Sequence, residues 1–282
     1  MNQQHVTVLG AGVMGTAIAA LVVGHGLPVT LVDVDEEKLT RARAEVAKQL
    51  RLAHLMGALT MGTPGELVTT VDLADIAGTD VVIESVTEIA ELKAKLLIEV
   101  SAVVGPDVLV ISNTSAIPID ELARSVEHPE RTVGIHFMNP PYLIKTVELI
   151  RGPRSSDGAM ATAAALLESL GREAVVVGDG PGFVINRILQ RMINEAARIV
   201  DEGLATPEAV DAVFTGCLGH RTGPLNTGDL IGLDNVVDSL RVLYERTGDP
   251  GYQPSDLLLR KVAAGDFGRK TGRGFYEHRG TK

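Results

Sequence analysis

Over the first 180 residues, short apolar runs rich in β-branched side chains alternate with longer segments of helical spacing. Residues 5–9, 28–32, 80–83, 108–111, 133–135 and 174–177 read as strands. Their apolar residues run on nearly continuously rather than alternating with charged ones, which predicts strands covered on both faces. Between the early strands, residues 36–59 and 91–104 place Ala, Leu, Lys and Glu at helical intervals. This alternation predicts an α/β unit built on a doubly wound parallel sheet.

The pattern changes at Gly178-Asp179-Gly180-Pro181-Gly182, a stretch that reads as a hinge or boundary. Beyond it the β-branched runs stop, and residues 183–202, 207–214, 232–246 and 255–264 have helical spacing. The expected organisation is therefore a sheet domain over 1–180 and a smaller all-helical domain over 181–282. Charge divides at the same place. Residues 181–282 carry 13 basic and 13 acidic side chains, so the whole net charge of −10 lies in residues 1–180. An acidic body without a basic cluster, with 3% aromatic residues and no Trp, argues against nucleic acid as a partner. No apolar run reaches the roughly 18 residues of a membrane span. The start MNQQHVTVLG shows no secretory signal, so the expected compartment is the cytoplasm. The single cysteine, Cys217, has no metal-ligand spacing with any neighbour, and no metal is expected.

Candidate chemistry begins directly after the first strand. Gly10-Ala11-Gly12-Val13-Met14-Gly15 opens a helix continuing through Ile18, Leu21 and Val22. In this context Gly10 serves the tight turn, Gly12 the approach of a diphosphate, and Gly15 close helix–strand packing. The first helical amides and the positive end of the helix dipole favour an anion. Asp33 ends the second strand, where a carboxylate binds ribose hydroxyls and, with Asp35, repels a 2′-phosphate. The cofactor expected is NAD rather than NADP, on a Rossmann-type domain.

Polar residues gather at later strand ends, the usual place for ligands in such sheets. Ser112-Asn113-Thr114-Ser115 ends one strand and His136-Phe137-Met138-Asn139-Pro140-Pro141 the next. Glu148 interrupts the apolar run Val147-Glu148-Leu149-Ile150, and a buried carboxylate needs a partner. A histidine on a neighbouring strand supplies one. Such a pair is a general base, with the carboxylate orienting the ring.

These motifs together resemble the 3-hydroxyacyl-CoA dehydrogenase family over nearly the whole chain. The resemblance rests on GAGVMGTAIA at 10–19, VIESVTE at 82–88, SNTS at 112–115 and HFMNP through VELI at 136–150. It continues through GPGFVINRI at 180–188, GPLNTGDLIGLD at 223–234 and GRKTGRGFYE at 268–277. It implies NAD-dependent oxidation of a 3-hydroxyacyl thioester, with His136 taking the hydroxyl proton and Glu148 holding its imidazole. It further implies that Ser115 bonds the substrate oxygen and that Asn186 completes the site. Glu88, Lys93, Asn113, Asn139 and Lys270 match cofactor-contacting positions, beside Gly10, Gly12, Val13, Met14, Gly15 and Asp33. A homodimer formed through the helical domain is implied in the same way.

Two departures widen the reading. CoA-handling members commonly carry lysines at the end of the helix after the second strand, whereas residues 52–59 here are Leu-Ala-His-Leu-Met-Gly-Ala-Leu. That opens an alternative carrier, an acyl carrier protein bearing a short hydroxyacyl group such as glyceryl in polyketide extender-unit biosynthesis. The Leu55-Met56 patch would then be a docking surface. The Pro140-Pro141-Tyr142 turn resembles relatives acting on sugar acids such as L-gulonate. A non-catalytic NAD-binding protein is the remaining alternative.

Overall fold

The computed structural model describes residues 4–59 and 62–278, so the first three residues of the N-terminal segment lie outside it. The chain forms two compact units that meet in sequence between Gly180 and Pro181. Among the described residues no helix is long and apolar enough to cross a membrane.

The first unit carries an eight-stranded sheet with flanking helices. In chain order it runs β1 (Val6–Leu9), α1 (Val13–Gly24), β2 (Val29–Val32), α2 (Glu36–Leu55), β3 (Leu67–Thr70), β4 (Val81–Glu84) and α3 (Ala90–Ser101). It continues with β5 (Leu109–Ser112), α4 (Ile119–Ala123), β6 (Thr132–His136), β7 (Thr146–Arg151), α5 (Asp157–Ser169) and β8 (Glu173–Gly178). The spatial order is β3-β2-β1-β4-β5-β6-β7-β8. Strands β1, β2, β4 and β5 are buried at every residue, as continuous apolar runs require. The order reverses between β1 and β4, and ligands bind in such sheets outside the carboxyl ends of strands at that switch point. Helix α2 starts there under a side-chain cap: Asp35 accepts the amides of Glu37 and Lys38, with Glu36 and Glu37 favourably placed in the first turn.

The structure adds two strands to the six that the pattern predicts and reverses part of the sheet. β3 is Leu-Val-Thr-Thr, a half-exposed edge strand without an apolar run. β7 pairs antiparallel with β6, and β8 runs parallel to β7. The nine residues between β6 and β7 are too few for the crossover that a parallel neighbour needs, so the chain turns back. The sheet is therefore mostly parallel. β8, the other edge, departs from two-sided burial: Val175 and Val176 are 49% and 61% exposed.

The second unit is helical: α6 (Ile185–Asp201), α7 (Pro207–Leu218), α8 (Pro224–Ile231), α9 (Leu233–Thr247) and α10 (Asp256–Ala263). Ile193, Leu225, Leu233, Val236, Leu240, Leu243 and Leu258 are fully buried in its core. Each contributes about 1.5–3 kcal/mol relative to exposure. α8 lies inside the GPLNTGDLIG stretch and opens on Pro224, whose missing N–H costs nothing at a first helical position.

Candidate active site

The glycine loop joins β1 to α1 with little room to spare. Gly10 has φ +98°, and a Cβ there would lie 2.7 Å from the Ser85 carbonyl oxygen. A Cβ on Gly15 would fall 1.8 Å from the Gly10 carbonyl oxygen. The space around Gly12 is open by contrast, with nothing within 4 Å of a Cβ, and no side chain caps the helix that Gly12 begins. Val13 is 71% exposed beside it. Unspent amides at a helix N-terminus next to open space fit a diphosphate.

A cavity of about 520 Å³ extends from this loop over the ends of β1, β2 and β4, with Val34, Val71, Leu73, Leu92 and Leu96 among its apolar walls. Asp33 lines it, held by the Ala11 amide on Oδ2 (2.8 Å) and the Asp35 amide on Oδ1 (3.2 Å). The apolar walls suit an adenine, and the oriented carboxylate suits ribose hydroxyls.

A second cavity of about 470 Å³ shares Gly12, Ser85, Val86 and Thr87 with the first. Met14, Glu88, Asn113, Ser115, His136 and Asn139 also line it. His136 and Glu148 face each other directly across the antiparallel β6–β7 pair. His136 Nδ1–H donates to Glu148 Oε2 at 2.7 Å, with both side chains under 10% exposed. That bond selects the tautomer whose Nε2 carries the lone pair. Asn113 joins the neighbouring strand ends: its Oδ1 accepts the Phe137 amide at 3.0 Å, and its amide donates to Ser85 Oγ at 3.4 Å.

Beside the Ser115 loop lies a charge cluster of buried Glu84 and Lys93 with half-buried Glu88. Glu88 Oε1 accepts the hydroxyls of Thr114 (2.6 Å) and Ser115 (3.2 Å) and the amides of Ser115 (2.8 Å) and Ala116 (3.0 Å). Burial pushes the Glu88 carboxyl up, but the Lys93 ammonium, the Thr114 hydroxyl and the Ser115 amide together hold it below its ordinary value. Lys93 is 1% exposed and pairs with Glu84 and Glu88 at 2.6 and 3.2 Å, so it is no solvated helix residue. Glu84 is fully buried, and its Oε2 accepts the Ser112 hydroxyl at 2.6 Å. Glu84 and Ser112 lie within the stretches 82–88 and 112–115 but receive no role there, although a carboxylate ending the buried run Val-Val-Ile-Glu is a visible signal. Asp179 caps the next helix, accepting the amides of Ile119 and Asp120 at 2.8 Å each.

Comparison with known proteins agrees with this geometry. The description "3-hydroxyacyl-CoA dehydrogenase, NAD binding domain" matches residues 5–180, and "3-hydroxyacyl-CoA dehydrogenase, C-terminal domain" matches residues 182–278. The chain belongs to the 3-hydroxyacyl-CoA dehydrogenase family. It is 40% identical over 281 residues to the 3-hydroxybutyryl-CoA dehydrogenase of Bradyrhizobium diazoefficiens, covering 98% of this chain and 96% of that one. It is similar to crystal structures of Mycobacterium tuberculosis FadB2 (TM-score 0.91, 37% identity, 98% and 99% of the two chains) and of (S)-3-hydroxybutyryl-CoA dehydrogenase PaaH1 from Ralstonia eutropha (0.89, 39%, 99% and 100%). The first unit is thus the family's NAD-binding domain, and the glycine loop and Asp33 fit that cofactor.

Two residues that the family resemblance points to belong to the helical unit. Asn186 is the second residue of α6. Lys270 pairs with Asp234 at 2.5 Å and lies over the Phe267 ring. This unit also has two buried carboxylates that bond the family stretches. Asp211 accepts the amides of Leu225 and Asn226 at the start of α8 and the Tyr276 hydroxyl. Asp229 accepts the amides of Phe275 and Tyr276 and pairs with His278. The lysine-poor stretch 52–59 falls around the end of α2, about 30 Å along a 20-residue helix from its start beside Asp33. Leu55 and Met56 are exposed there, whereas Leu59 is buried.

Proposed function

We propose that the protein oxidises a 3-hydroxyacyl thioester to the 3-oxoacyl thioester and, in reverse, reduces the 3-oxo form. The observation that carries this reading is the buried His136–Glu148 pair, in register across β6 and β7 on the wall of a cavity that also reaches the glycine loop. NAD, held by Gly10, Gly12, Gly15 and Asp33, supplies the hydride acceptor. His136 Nε2 accepts the proton of the 3-hydroxyl, and Glu148 stabilises the imidazolium that forms. In reduction the same nitrogen returns the proton. Ser115 hydrogen-bonds the substrate oxygen, and Asn186 completes the set that the family implies. Donors of this kind favour the oxygen as it takes up charge.

CoA is the carrier that the names of the relatives support. A second reading, an acyl carrier protein docked on exposed Leu55 and Met56, is favoured by that apolar, lysine-poor helix end. NADH oxidation would be followed with acetoacetyl-CoA and with the same acyl group on a carrier protein. A strong rate with CoA supports the first reading, and a rate with the carrier protein alone supports the second. No rate with either removes the thioester dehydrogenase. We also read the protein as a homodimer formed through the helical unit, which exposes Leu204, Val213 and Leu218. Sedimentation at micromolar concentration tests it, and a monomer there rejects it.

A further inference from the structure

We propose that Arg172 is a positioning residue for the nicotinamide end of the cofactor site. It ties the connection between β6 and β7 to the start of β8, and so holds Asn139 on the wall of the second cavity. The proposal deepens the function above and rests on it in one respect, that the cavity beside His136 is where the cofactor meets the substrate.

The sequence creates the need for such a tie. Residues 137–145 leave β6 directly after His136 and bring the chain back to β7. Pro140 and Pro141 stand side by side in this connection, and neither has an N–H to donate. That stretch is fixed through its carbonyl oxygens instead. The Pro140 oxygen accepts the amides of Leu143 and Ile144 at 3.1 and 3.2 Å, inside the connection itself. The Pro141 and Ile144 oxygens both accept from Arg172 Nη1, at 2.7 and 3.3 Å. Beside it the Glu173 amide donates to the Lys145 oxygen at 2.9 Å, where β8 enters its parallel register with β7.

The guanidinium is itself anchored and has no counter-ion. Arg172 Nε donates at 3.0 Å to the oxygen of Leu170, the residue that ends α5. Arg172 is 5% exposed, and among the described residues no carboxylate pairs with it. Burial pushes its pKa below the ordinary value, with no partner to offset the shift. A buried charge is costly unless its donors are used, and here the oxygens of the connection use them. At the other end the Phe137 amide is pinned to Asn113 Oδ1. Asn139 therefore lies between two anchors four residues apart, one at Phe137 and one at Pro141. Phe137, Met138 and Asn139 all line the cavity. The His136–Glu148 pair is held by strand register, independently of this tie.

The test compares Arg172→Met and Arg172→Lys with wild type in three readouts. Calorimetry gives the affinity for NADH and for ADP-ribose, which lacks the nicotinamide. The third readout is the pH profile of kcat for reduction of acetoacetyl-CoA by NADH. Arg172→Met is expected to lose roughly fivefold or more in NADH affinity while binding ADP-ribose within about twofold of wild type. Its kcat is expected to fall roughly 10–100-fold, as small misplacements do, with the shape of the pH profile kept. Arg172→Lys, which keeps donors and charge, is expected to lie between Arg172→Met and wild type.

An equal loss for NADH and ADP-ribose, or no loss for either, overturns the proposal. So does a shifted pH profile, which would mark damage to the His136–Glu148 pair, or a lysine variant no better than the methionine. If Arg172→Met does not fold, Arg172→Gln, which keeps a donor without the charge, takes its place in every comparison. A wild-type protein that binds NADH but turns over no thioester rejects the proposed function, and the two affinities still decide the role of Arg172.

Discussion

In the sheet unit the half-buried Glu88 and the buried Glu148 each hold a group that lines the second cavity, Ser115 in one case and His136 in the other. In the helical unit Asp211 and Asp229 are buried, and they bond backbone amides of the same unit, the Tyr276 hydroxyl and His278. Burial pushes the Tyr276 phenol up, and Asp211 adds to the shift, so it remains a donor at working pH. Carboxylates thus do two jobs. Beside an open cavity the carboxylate orients a side chain that lines it. Among helix ends and loops it ties the chain together.

That contrast sorts the expected effects of substitution. Asp229→Ala strands the Phe275 and Tyr276 amides and removes the partner of His278, so it should destabilise the helical unit by about 3–5 kcal/mol. A urea unfolding curve with an unshifted midpoint would break the structural half of the comparison. Glu148→Gln keeps the shape but not the charge, and should lower kcat by about 10²-fold with NADH binding retained. A larger effect on stability than on kcat would place it with Asp229 instead. Asp33→Asn should raise KM for NAD about tenfold, as loss of a charge-assisted acceptor does, with little change in kcat.

Glu88 should show the smallest effect, through pH. Its folded carboxyl titrates below the ordinary value of 4.5, so its ionised form stabilises the fold above that pH, and this contribution is lost as acid takes the pH down through the folded value. Wild-type protein should therefore lose stability below about pH 4.5 more steeply than Glu88→Gln. Parallel slopes in denaturant midpoints against pH would count against an ionised Glu88.

Much of this was legible in the residues alone, because periodicity reports burial. The glycine loop, Asp33, the SNTS turn and His136 sit at the ends of apolar runs, and Glu148 interrupts one. Strand direction leaves no such mark, so the reversal at β7 and β8 came only with the structure. β3 was hidden because a half-exposed edge strand with two threonines lacks an apolar run. Lys93 shows that burial is legible where a charge draws the eye. The resemblance matches it to a cofactor-contacting position, and the structure sets it on the buried face of α3 together with Leu97 and Val100, at intervals of four and three. A lysine on an apolar helical stripe is a sign of a buried ammonium that needs carboxylate partners, here Glu84 and Glu88. For Asp211 and Asp229, the glycines packed against them were the available sign: a Cβ on Gly223 would lie 2.2 Å from Asp211, and one on Gly274 2.1 Å from Asp229.

The central claim is that His136 moves the proton in a thioester dehydrogenase, and His136→Ala tests it most directly. NADH oxidation with acetoacetyl-CoA should fall by roughly 10²–10⁴-fold in kcat, while NADH affinity and unfolding midpoint stay near wild type. A variant that turns over acetoacetyl-CoA at the wild-type rate would contradict the account.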